Sequence, residues 1–169
     1  MFLDAVVFVV CPALFVAGAV TDLLSFKIPN WIPAALAASF ALAAALAAMP
    51  LGDIGWHALV FAVTLLAGMA MFAGNLIGGG DAKLLAAAAL WMGPHLILLY
   101  CMVFALIGGA FAVALLALRR FPIPVMTARL PFLGELLRPK AGLPYGVALG
   151  IGALIVLPKT SLFAAALSS

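Results

Sequence analysis

Apolar runs of about twenty residues recur along this chain, each cut short by glycine, proline or a charged residue. The hydrocarbon core of a bilayer asks about 20 such residues of a crossing helix. Backbone amides and carbonyls meet no water there, so only helices or a closed barrel can cross. Runs of this length call for helices, and the chain is read as an all-α, polytopic integral membrane protein. The composition agrees: 69% of residues are apolar and 8% charged, and the mean hydropathy is +1.38. Soluble domains average about half apolar and about a quarter charged.

Six transmembrane helices are predicted, over roughly 3–21, 31–49, 57–77, 82–93, 95–118 and 143–157. Pro29 suits the start of the second, and "PLGDIGWH" at 50–57 reads as a turn-rich loop. "MGPH" at 92–95 breaks the pattern and leaves the fourth segment short. No repeat, low-complexity tract or second domain is visible, so residues 1–169 are read as a single membrane-embedded domain. The N-terminus has no basic region, only Asp4, and no small-x-small cleavage site; the first segment is read as a retained helix.

The net charge of +3 reports orientation and not nucleic-acid binding. Arg119, Arg120, Arg129, Arg138 and Lys140 follow the fifth span, which makes that loop cytoplasmic by the positive-inside rule. Counting back places 22–30 and 78–83, with Lys27 and Lys83, on the same side and the N-terminus outside. Asp4, Asp53, His57 and His95 fall on the opposite face, and the histidines are given no role. The arginines are expected against anionic headgroups. "LPFLGELLRPK" at 130–140, with Glu135, is read as an amphipathic interfacial helix. Cys11 and Cys101 sit in apolar stretches as small hydrophobes. No metal and no cofactor is expected.

This parity has a chemical consequence. Asp22 leaves span one and Asp81 enters span four at one face, although far apart in sequence. An intramembrane acid costs roughly 2.5–3.5 kcal/mol at mid-bilayer, so such residues usually face the bundle interior. Two carboxyls close together there cannot both ionise easily and would share one proton. One could then draw a proton from water while the other gives one to a peptide carbonyl, as in aspartic proteases. Gly78, Gly79 and Gly80 would let a substrate strand approach Asp81 and are expected to adopt positive φ. A plainer reading stays open: Asp81 as the N-cap of the fourth helix, and Asp22 as a solvated loop acid beside Lys27.

"TDLLSFKIPNW" followed by "GGGDAKLLAAAALWMG" resembles the type IV prepilin leader peptidases, the GxGD-type membrane aspartyl proteases. Asp22 precedes the Lys27-Ile28-Pro29-Asn30 stretch as in that family, and Gly78, Gly80, Asp81, Lys83 and Leu84 match its second motif. "LPYGVALGIGAL" resembles the segment that opens the family's last helix, through Pro144, Tyr145, Gly146 and Ala148. The resemblance covers about 20–155. It implies catalysis by Asp22 and Asp81, and cleavage after a glycine at the cytoplasmic face of the bacterial inner membrane. The implied substrate is a prepilin, a short basic leader joined to a hydrophobic helix.

Larger members carry paired Cys-x-x-Cys motifs and methylate the new pilin N-terminus. This chain lacks those cysteines and is similar to the short CpaA/TadV-like form of tight-adherence (Flp/Tad) pilus systems. Lys83 is open to two readings, tuning Asp81 or snorkelling to the interface. Pro29 and Asn30 are read as shaping a turn, and Tyr145 as an interfacial anchor. Two other classes compete: a small transporter or channel component, and a noncatalytic pilus assembly factor.

Overall fold

The computed structural model describes residues 1–120, 134, 136 and 142–168. The regular structure among them is helical. The helices are α1 (Phe2–Ser25), α2 (Trp31–Leu46), α3 (Leu51–Ala73), α4 (Gly79–Leu118), α5 (Tyr145–Val156) and α6 (Ser161–Leu167). α1, α3 and α4 are each long and apolar enough to cross a membrane. Tyr145–Lys159 and Ser161–Leu167, bent by 56°, make a fourth if counted as one span; α2 is apolar but shorter. The chain is an all-α integral membrane protein.

α4 organises the rest. Forty residues of straight helix would reach about 60 Å, twice a bilayer core. At Gly93 the backbone takes φ 63 and ψ −174, a region essentially reserved for glycine, and Pro94 follows. The chain doubles back there. Asp81, at the start of α4, borders a cavity with Gly142, and Arg119, just past its end, donates to the Gly142 carbonyl. Pro94 and His95 instead lie beside Met49, Asp53 and Ser161 at the other end of the bundle. Limb 79–92 therefore runs the bundle's length and limb 94–118 returns, as the break at "MGPH" predicts.

Pro94 has no N–H, so the Leu90 carbonyl four residues earlier loses its helical donor. His57 of α3 replaces it: Nδ1 lies 2.7 Å from the Leu90 oxygen, and the ring stacks on Phe40 at 5.2 Å. A Cβ on Gly93 would run into that same ring. The histidine to which sequence gave no role thus fastens the reversal. Gly93→Ala should cost about 2 kcal/mol from backbone strain alone, with the ring clash added. A lowered midpoint of thermal unfolding in detergent would show it, and an unchanged midpoint would refute the account.

Small residues then draw α5 inward. A Cβ at Gly150 would stand 2.9 Å from the Phe15 carbonyl of α1, and one at Gly152 would stand 2.9 Å from Phe104 of α4. Such close backbone approach is how membrane helices gain packing energy without a hydrophobic driving force. Tyr100 Oη donates to the Leu149 carbonyl at 3.1 Å, and Trp91 Nε1 donates to Leu36 at 2.9 Å, tying α4 to α5 and α2. These contacts hold the opening of α5 against the end of α1.

Several boundaries differ from the sequence reading. Residues 51–57 begin α3 and are not a loop: Gly52 and Gly55 have open space around them, and Asp53 sits favourably in the first turn. α1 continues past 21 to Ser25, and α3 stops at Ala73, where Asn75 turns left-handed with φ 57. α6 was not anticipated; Thr160 caps it, accepting from Phe163 N–H at 3.3 Å. Arg129, Glu135, Arg138 and Lys140 of the expected interfacial stretch lie outside the described residues. Arg119 is held to protein by the Leu136 carbonyl at 2.9 Å.

Candidate active site

α1 ends on Phe26 in the left-handed region (φ 53), whose N–H returns to the Asp22 carbonyl at 2.8 Å. The turn folds residues 27–30 back over the helix end. Asp22, in the last helical turn, is consequently buried, with 5% of its surface exposed. Its Oδ2 accepts a 2.7 Å hydrogen bond from the Gly146 N–H. That amide is the second of α5, where the first N–H groups lack helical partners and the dipole favours an anion. The C-terminus of α1 disfavours a carboxylate, and the N-terminus of α5 offsets it. Asp22 is therefore not a solvated acid paired with Lys27.

Gly146 is required by space. A Cβ there would lie 2.8 Å from both Cβ and Oδ2 of Asp22, and 2.9 Å from Cδ1 of Ile28.

Asp81 is the third residue of α4. Its Oδ2 accepts the Gly78 N–H at a long 3.3 Å, so it partly serves as a helix cap. Oδ1 is buried and finds no donor among the described residues. Capping accounts for Oδ2 and not for Oδ1.

The glycine run works differently from the sequence expectation. Gly78 is extended (φ −71), and Gly79 and Gly80 already belong to the helix; none has positive φ. What they provide is room. A Cβ at Gly78 would stand 2.8 Å from Asp81 Oδ2, and one at Gly80 would stand 3.1 Å from Cβ of Ile28.

Both aspartates line one cavity of about 530 Å³, walled by the 27–30 turn and the glycine run. A second, of about 540 Å³, opens on their other side beside Asn75, Gly142 and Tyr145. Lys27 borders both cavities, and Pro29 and Asn30 the first. Lys83 donates to Asn30 Oδ1 at 2.8 Å, fastening the 27–30 turn to α4. Pro144 is buried at the start of α5, and Tyr145 is 38% exposed. The residues singled out from sequence are thus gathered at one end of the bundle. Thr21, Ser25 and Ile28 complete the site, and no motif chemistry marked the first two. No cluster of three His, Cys, Asp or Glu side chains that could hold a metal occurs among the described residues.

Two acids on different helices line a shared cavity inside an apolar bundle, an arrangement able to support general acid–base chemistry. The chain belongs to the type IV leader peptidase family, whose model matches residues 8–117 and so spans both aspartates. No curated protein and no solved structure matches it. Membership makes the chain a prepilin peptidase, a hydrolase of prepilins working in a membrane.

Proposed function

We propose that the chain is an aspartic endopeptidase of the bacterial inner membrane, and that Asp22 and Asp81 are its catalytic pair. It removes the short basic leader from Flp-type prepilins, after a glycine at the cytoplasmic face. In this reading residues 1–169 are a single domain with six crossings, its N-terminus outside. The observation that carries the proposal is the meeting of the two carboxyls at one cavity, Asp22 held by the Gly146 amide and Asp81 Oδ1 without a donor.

One carboxylate takes a proton from water, and the resulting hydroxide attacks the scissile carbonyl carbon. The other, a carboxylic acid, gives its proton to the carbonyl oxygen. The tetrahedral adduct then collapses: the C–N bond breaks, the leaving amine takes the proton held by the first carboxyl, and the second carboxylate takes back a hydroxyl proton as the new carbonyl forms. Gly78, Gly79 and Gly80 leave space for the peptide beside Asp81, while Lys83, Asn30, Pro29 and Lys27 shape the facing wall. Pro144, Tyr145 and Gly146 present the amide that holds Asp22.

Co-expression with a small Flp-type prepilin tests this reading. The intact chain shortens the prepilin on a gel, and persistence of the full-length form with every such prepilin would overturn it. The mechanism also demands one ionised and one protonated carboxyl. Accordingly kcat/KM falls at both acid and alkaline pH, and a profile that only rises with pH would exclude a shared proton.

A further inference from the structure

A second apolar feature adjoins the site. Between α2 and α3 lies a slot of about 660 Å³, within the range of ligand pockets. Its α3 wall is a helical stripe of Phe61, Leu65, Met69 and Phe72, and its α2 wall is Pro33, Ala34 and Ala37. The slot stays open because α3 is seated on α4: a Cβ at Gly68 would come within 3.0 Å of Ala82. Small residues on one wall and large ones on the other suit a helix that must come close on one side and bury side chains on the other.

We propose that this slot receives the hydrophobic segment of the prepilin immediately beyond the scissile bond. The inference rests on the prepilin peptidase reading and adds where the enzyme holds its substrate. Continuity with the aspartate cavity selects the occupant, since Asn30 and Gly79 line both spaces. The character of the wall changes at that junction. On the aspartate side are Ser25, Lys27 and Asn30; beyond it the slot is apolar apart from Asn30 and Lys83 at its mouth. A substrate with a polar leader followed by an apolar helix matches this order. An acyl chain matches only the slot. The Lys83–Asn30 hydrogen bond marks the threshold between the two spaces.

The test uses the full chain in membranes, with Asp81→Asn to keep co-expressed prepilin uncleaved. A photo-crosslinking phenylalanine analogue is placed at Phe61 or Leu65 inside the slot, and at Val63 or Leu66, which are 58% and 67% exposed on α3. Irradiation should join Phe61 and Leu65 to the prepilin's hydrophobic segment, and Val63 and Leu66 to lipid. Equal prepilin adducts from all four positions, or only lipid adducts from the slot, would overturn the proposal. In the otherwise unaltered enzyme, Ala37→Phe fills the slot and should raise KM for prepilin about tenfold with kcat nearly kept. An unchanged KM would also count against it. Prepilin cleavage that persists in both aspartate variants removes the catalytic pair but leaves the crosslinking result to judge the slot.

Discussion

Asp22→Asn and Asp81→Asn each lower leader removal by about 10³-fold, the range for losing a general acid or base. Asparagine keeps the size of aspartate and an acceptor oxygen for the Gly146 amide at position 22 or the Gly78 amide at position 81. Membrane levels of both variants should therefore stay close to wild type, and a blot of the membrane fraction separates a dead site from a lost protein. The double variant should be no worse than either single one, because the two acids act as a unit. Continued shortening of prepilin by both stable variants would sink the catalytic assignment and make the acids structural.

Gly146→Ala is expected to reduce activity by about 10²-fold, the scale on which a displacement near 1 Å acts. The new methyl group would sit 2.8 Å from Asp22 Cβ and Oδ2, well inside the ~3.5–4.0 Å of a carbon contact. α5 is pinned by Gly150 and Gly152, so Asp22 must yield and its 2.7 Å hydrogen bond must lengthen. Overpacking of this kind costs about 1–3 kcal/mol of stability, small beside the effect on rate. Gly109→Ala, with nothing within 4 Å, provides the control and should process prepilin normally. Equal activity in the two variants would show that Asp22 tolerates movement.

Much of the architecture could be read from the residues because bilayer physics leaves few choices. Length and hydropathy located the apolar segments, and Gly93-Pro94 announced the reversal that brings both ends of α4 to one side. What escaped was pairing at a distance. A backbone N–H has no signature in a sequence, so nothing marked the Gly146 amide as the partner of Asp22, beyond its resemblance to a family motif. The role of His57 was hidden similarly. It depends on a carbonyl that Pro94 leaves without a donor, in a helix 33 residues away. The glycine run was located correctly but explained wrongly, since composition does not separate a need for positive φ from a need for space.

The hydrogen bond between Gly146 and Asp22 spans 124 positions. During synthesis the aspartate enters the membrane early, on the first helix, and its partner arrives on α5. Until then Asp22 is an acid at the wrong end of a helix dipole, with no amide to hold it. The constellation therefore closes only when α5 has joined the bundle. A partly translated chain holds both aspartates but not the hydrogen bond that fixes Asp22, and the arrival of α5 completes the arrangement.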